Sequence, residues 1–166
     1  MKTQRLTELS LLTAAALIVF IVELRFPDIL PIPGIKLGLA NIFTVYGVYR
    51  FTGKEVFLMV ATRVILGAIF CSNFSALLYS TAGAMLCLAG MLLVKHIIPV
   101  KYLWLCSMIG AILHNTGQIT VAILVMRSLA VLPFYPILIT SGCIAGLFTG
   151  ICAQLILKRN FHKEQE

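Results

Sequence analysis

The chain has 166 residues, of which 60% are hydrophobic and 11% charged, with 12 glycines, a formal net charge of +7 and a mean hydropathy of +1.02. Soluble domains carry about 25% charged residues, and one of this size leaves roughly a third of its surface in water. A soluble fold is therefore excluded, along with disordered, collagen-like and disulfide-scaffold classes.

The composition predicts an all-α integral membrane protein. Polar interruptions divide the chain into six apolar spans, residues 6–26, 37–51, 56–70, 74–94, 103–126 and 134–157, expected to form one bundle of six transmembrane helices over residues 1–166. Spans one, four, five and six have the roughly 20 residues needed to cross about 30 Å of hydrocarbon. Spans two and three are shorter, and must thin the bilayer locally or begin in the flanking loops.

Span one follows Lys2 and Arg5, but a cleaved signal peptide is not expected, because Glu23-Leu-Arg-Phe-Pro stands where a small-residue cleavage site would be. It carries Ser10 and Ala14 at helical spacing and Glu23 toward its outer end. Small residues let membrane helices approach closely, so Ser10 and Ala14 pack the bundle or dock a partner subunit.

The first outer loop and the start of span two read Pro27-Asp-Ile-Leu-Pro-Ile-Pro-Gly-Ile-Lys-Leu-Gly-Leu-Ala-Asn41. Pro31, Pro33 and Gly34 predict an extended path turning into a helix. Lys36 then falls at a helix start, where free backbone N–H groups and a cation together make an anion site. Gly38 would allow close approach, and Asn41 lies one turn on. The plainer reading of Lys36 is a lysine snorkelling to the interface.

Arg63 lies eight residues past Glu55, about 12 Å along a helix and so near the middle of span three. An arginine at that depth costs at least about 2.5–3.5 kcal/mol. Either Glu23 is its partner and the pair is structural, or an anionic ligand or water-filled cavity compensates.

Span four has Ala76, Ser80 and Ala84 four residues apart, and span six has Gly142, Gly146 and Gly150 at the same spacing, both expected to serve packing within the bundle. In span five, His114 and Gln118 share a face, with Asn115 beside them and Gly110 one turn earlier. These side chains are interhelical glue or the lining of a pocket, for which the Gly110 notch would leave room.

The basic residues follow the positive-inside rule. With the N-terminus inside, nine of the 13 fall in cytoplasmic segments: Lys2, Arg5, Arg50, Lys54, Lys95, Lys101, Lys158, Arg159 and Lys163. Arg25, Lys36 and Arg127 fall outside and Arg63 within a span. Both termini are thus expected to be cytoplasmic. The positive charge serves topology and contact with lipid headgroups, not nucleic acid.

Five cysteines, Cys71, Cys87, Cys106, Cys143 and Cys152, show no metal-ligand spacing and read as packing residues. The sequence has no phosphate loop, no G-x-S-x-G and no H-E-x-x-H. No catalytic residue, cofactor or metal is expected, and energy would have to come from partners.

The run Pro33-Gly-Ile-Lys-Leu-Gly-Leu-Ala-Asn-Ile42 resembles the signature of the bacterial Gx transporters, a family also called heptaprenyl diphosphate synthase component I. The likeness covers essentially the whole chain in length and span count. The opening Leu6-Thr-Glu-Leu-Ser-Leu-Leu-Thr-Ala-Ala-Ala16 is also similar to the first helix of the substrate-binding S components of energy-coupling-factor importers. That resemblance implies a six-helix subunit of the bacterial cytoplasmic membrane that binds a vitamin-like solute from outside. It also implies docking on a transmembrane coupling subunit driven by two ATPases. The docking motif there is typically Ala-x-x-x-Ala, and this chain has Ser10-x-x-x-Ala14.

The residues discriminate between the two functions implied. Prenyl diphosphate synthesis by the usual route needs aspartate clusters to hold magnesium, and this chain has one aspartate, Asp28. An enzyme is therefore not expected; at most the chain is an accessory to a soluble prenyl diphosphate synthase subunit. The expectation favoured is a substrate-binding subunit for a small anionic or amphiphilic solute. Lys36 and the helix-start N–H groups would hold the anion, with Gly34 and Gly38 allowing approach. Arg63 would neutralise charge deeper in, and Asn41, His114, Asn115 and Gln118 would orient the ligand.

Overall fold

The computed structural model describes residues 3–25, 38–71 and 74–163. Its regular structure is entirely helical among these: α1 (Thr3–Arg25), α2 (Asn41–Arg50), α3 (Gly53–Cys71), α4 (Phe74–Val94), α5 (Leu103–Met126) and α6 (Tyr135–Lys163). Short 3₁₀ turns over Val100–Tyr102 and Leu129–Phe134 lead into α5 and α6. Four of the six, α1, α4, α5 and α6, contain stretches long and apolar enough to cross a bilayer. With side chains such as Leu11, Leu93, Leu124 and Ile144 standing on the outer surface, this is a multi-pass membrane protein, whose exposed apolar faces meet lipid.

The two short spans differ from expectation in opposite directions. Helix α2 has ten residues, about 15 Å at 1.5 Å per residue and half the hydrocarbon thickness. It starts at Asn41 because Gly38 takes a left-handed backbone (φ 68°) and Leu39 and Ala40 form a turn. A positive φ is strained for residues with a Cβ and ordinary for glycine. Helix α3 has 19 residues, beginning three residues before the apolar run. There Glu55 reaches back to Thr52 just before the helix, its carboxylate accepting from the Thr52 backbone N–H and hydroxyl, each at 2.8 Å. Helix α6 runs to Lys163, past the apolar limit at 157, since lysine and arginine end a hydrophobic run without ending a helix.

Successive helices alternate in direction, so the starts of α1, α3 and α5 meet the ends of α2, α4 and α6. At that end Arg5 pairs with Glu55 at 2.8 Å and Arg50 with Glu8 at 3.5 Å, while the Lys95 ammonium donates to the Val48 carbonyl and the Tyr49 hydroxyl to that of Ile98. The apolar core fills the same half: Val45, Val48, Val56, Met59, Val60, Met91, Leu103 and Leu157 are almost wholly buried. Cys87 and Cys106 are buried there as packing residues.

The small-residue faces close the bundle from within. A Cβ at Gly146 would lie 2.8 Å from the Met108 Cα, and one at Gly150 would lie 2.6 Å from the Trp104 Cα. The α6 groove is thus filled by the α5 backbone. Across the other face of α5, Gly117 leaves equally little room against the Ala82 carbonyl of α4. Ser80 and Ala84 are buried on α4, whereas the side chain of Ala76 lies outside the described residues. Contact at this range supplies the dispersion that holds helices together where no hydrophobic force acts.

Gly146→Leu and Gly150→Leu should each destabilise the bundle by about 1–3 kcal/mol through overpacking. Ile144→Leu on the exposed face should stay within about 0.5 kcal/mol, both read by unfolding in mixed micelles. The capping and ion-pair contacts at the bundle end hold the Glu55 carboxyl at about 2 against an ordinary 4.5, the Thr52 backbone N–H first, then Arg5 and the Thr52 hydroxyl. A depressed carboxyl stabilises the fold above its unfolded pKa and loses that contribution as the pH falls through the folded one. The stability difference between wild type and Glu55→Gln should therefore be level from about pH 8 to pH 5 and vanish between about 4.5 and 2.

Candidate functional site

The half of the bundle opposite the apolar core encloses a cavity of about 50 Å³. Every helix contributes to it: Phe20 and Glu23 from α1, Asn41 from α2 with Gly38 and Ala40 before it, Arg63 from α3, Ser80 from α4, Ser107, His114, Asn115 and Gln118 from α5, and Thr149 from α6. Six of the eight ligand-binding residues expected from sequence, Gly38, Asn41, Arg63, His114, Asn115 and Gln118, therefore meet in one place. Gly34 and Lys36 lie outside the described residues.

Arg63 sits at the centre of the charge pattern and is 4% exposed. Its Nη1 donates to the Ala40 carbonyl at 2.8 Å and to the Thr44 hydroxyl at 3.3 Å, and its guanidinium lies over the Phe20 ring at 5.7 Å. The carbonyl at the turn before α2 is thus satisfied by a side chain from α3, as a buried backbone group must be. Nε has no hydrogen-bond partner among the described residues.

Glu23 is also buried, and its carboxylate accepts from the backbone N–H groups of Gly38 and Leu39. Of the two alternatives posed by the sequence, the direct structural pair is the one the structure corrects. Glu23 makes no direct ion pair with Arg63; the two charges face the same hollow, each held by the turn leading into α2. The helix-start N–H groups assigned to an incoming anion are occupied by the chain's own carboxylate. The physical reason is the early turn at Gly38, which aims these donors at α1. Asn41 consequently begins α2, rather than lying one turn inside it.

Helix α5 supplies the imidazole and amide groups of the wall. His114 packs on Gly83 of α4, where a Cβ would come within 3.0 Å of the imidazole. The Asn115 amide donates to the Leu138 carbonyl of α6, in room left by Gly142. Asn115 thus acts as interhelical glue and cavity wall at once. Gln118 is 9% exposed, and its Oε1 has no partner among the described residues. The Gly110 notch does not open into this space, because Met91 and Cys87 of α4 fill it.

Sequence reading passed over Phe20, Thr44, Ser107 and Thr149, and took Ser80 for a packing residue alone. Ser107 and Thr149 share a 3.1 Å hydrogen bond between α5 and α6. Hydroxyls in helices also bond their own backbone, as Thr149 does to the Ala145 carbonyl, so their presence in an apolar span signals little. Ser10 and Ala14 are exposed on the outer face of α1, away from the cavity. No group of three or more histidine, cysteine or acidic side chains placed to hold a metal occurs among the described residues. A second, open hollow beside the ion pairs is lined by Gln4, Arg5, Glu8, Arg50, Phe51, Thr52 and Glu55.

Replacing Arg63 with methionine keeps volume but strands Glu23 as an uncompensated buried charge. Leaving a buried charge uncompensated costs about 3–5 kcal/mol. Unfolding in mixed micelles should show a loss of that order for Arg63→Met, with part of it recovered when Glu23→Gln is added.

No curated protein and no solved structure matches the chain. The family model described as heptaprenyl diphosphate synthase component I matches residues 12–156, taking in α2 to α5 whole, the greater part of α1 and α6, and every described cavity residue. The chain belongs to the heptaprenyl diphosphate synthase component I family.

Proposed function

We propose that this chain is a membrane-embedded binding subunit that holds the polar end of a small anionic or amphiphilic molecule in the Arg63 cavity. The observation that carries this reading is the buried guanidinium itself, whose Nε–H has no partner among the described residues, in the wall of a hollow it shares with Asn41, His114, Asn115 and Gln118. Structural arginines in membranes are matched group for group, and intramembrane charges that are not mark ligand or ion sites. A hollow of about 50 Å³ has room for one or two waters at about 30 Å³ each. It therefore suits a polar head group, and a vitamin-sized solute would require the cavity to open. Lys36 and Gly34, which precede Gly38 in sequence, complete the proposed set of binding residues.

In this reading the subunit confers substrate specificity on a transporter of the energy-coupling-factor kind, in the bacterial cytoplasmic membrane with both termini inside. The exposed Ser10–Ala14 face of α1 would dock the coupling subunit, and ATPases would supply the energy. Family membership favours a second reading, in which the chain is the non-catalytic membrane accessory of a polyprenyl diphosphate synthase. The single aspartate, Asp28, is consistent with a catalytic partner carrying the magnesium chemistry.

Mass spectrometry of the purified protein should find a co-purifying anionic or amphiphilic molecule. Its retention should fall about tenfold or more in Arg63→Ala and Lys36→Ala, the equivalent of one lost charge-assisted hydrogen bond. Unchanged retention in both variants rejects the cavity as the binding site. Affinity capture of the intact protein decides between the readings: a coupling membrane subunit with ATPases supports transport, and a soluble prenyl synthase supports the accessory role.

A further inference from the structure

The described walls of the cavity are not equally able to give way. On the side of α4, α5 and α6 the helices meet through backbone: a Cβ at Gly117 would strike the Ala82 carbonyl, and one at Gly146 the Met108 Cα. Backbone packed at that range yields only if a whole helix moves. Within that wall the Asn115 amide is tied to the Leu138 carbonyl.

The side formed by α1 and α3 is built differently. At Gly67 of α3 the space that a Cβ would take is filled by the edge of the Phe20 ring from α1. Gly67 lies one helical turn after Arg63, and the same ring stands over the Arg63 guanidinium at 5.7 Å from its centroid. An aromatic face and a cation at that range attract each other. Phe20 is partly buried and lines the hollow, so its ring forms the cavity wall beside the guanidinium. A phenyl ring has no hydrogen-bonding group, and displacing it breaks no hydrogen bond. Displacing Arg63, Glu23 or Asn115 breaks a bond to backbone in each case.

We propose that Phe20 is the specificity-determining residue of the cavity, its ring, seated on Gly67, setting the largest acidic head group that can reach Arg63. This deepens the binding reading above and rests on it. It adds that the site selects by head-group size, taking a compact planar acid such as a carboxylate in preference to a bulkier tetrahedral one of the same charge.

Decanoate and decanesulfonate make a matched pair of probes, with the same alkyl chain and one negative charge each at about pH 8. The full chain in dodecyl maltoside is equilibrated with an equal mixture below its micelle concentration, passed through gel filtration, and the retained amphiphiles are weighed by mass spectrometry. Wild type should retain decanoate over decanesulfonate. The ratio of sulfonate to carboxylate should rise about tenfold in Phe20→Ala, the low end of what a change in pocket shape discriminates, and by less in Phe20→Leu. A ratio is read because a general loss of stability lowers both amounts alike. Ile18→Ala, on the exposed face of α1, should leave the ratio at the wild-type value. The double variant Arg63→Met, Glu23→Gln removes both charges without stranding either, and should lose both amphiphiles.

An unchanged ratio in Phe20→Ala and Phe20→Leu, with retention still lost in the double variant, overturns the role of Phe20 and leaves the binding cavity standing. An equal shift in Ile18→Ala places the probes on the lipid-facing surface and likewise overturns it. Retention no greater in wild type than in the double variant overturns the cavity reading and the role of Phe20 together. If Phe20→Ala fails to fold, Phe20→Leu decides the matter.

Discussion

A guanidinium held inside a lipid-embedded bundle must be matched in charge and hydrogen bonding by the bundle itself, because no solvent is present to do so. Arg63 imposes that condition on this chain. Its Nη1 binds the Ala40 carbonyl and the Thr44 hydroxyl, drawing the start of α2 onto α3. Glu23 supplies the opposing charge, and is itself held by N–H groups of the same turn. The left-handed backbone at Gly38 and the short length of α2 follow from the same arrangement: a longer helix would bury these N–H groups in its own ladder and leave both charges without their partners.

The two halves of the bundle divide the work. At one end, methionine, valine and leucine side chains fill the space between helices, and the ion pairs of Arg5 and Arg50 fasten the rim. At the other end the helices converge on polar groups. The charges there come from α1 and α3, while the rest of the wall comes from α4, α5 and α6. Those last three helices are packed at glycine range, which makes them a stiff frame against which His114, Asn115 and Gln118 are aimed. Preorganisation of this kind keeps the ordering cost of a ligand low.

The cavity brings one buried guanidinium and one buried carboxylate together, with Arg63 Nε and Gln118 Oε1 lacking a partner among the described residues. Asp28 is the chain's one aspartate, and no phosphate-binding loop occurs in the sequence.

Amino-acid composition alone established that this is a membrane protein of several helices, because the excess of apolar residues has no other solvent to face. The long spans, the packing role of Gly142, Gly146 and Gly150, and the polar character of His114, Asn115 and Gln118 were equally legible, since each follows from spacing along a single helix. The limits of the short helices were not. The contact of Glu55 with Thr52 and the turn at Gly38 are local, but hydropathy does not register them. What only the tertiary structure decided is the pairing across helices. Glu23 serves the α2 turn instead of bonding Arg63 directly, and Met91 fills the notch at Gly110. In a bundle, which side chain reaches which neighbour depends on how six helices are rotated and placed, and that is settled by all their contacts together.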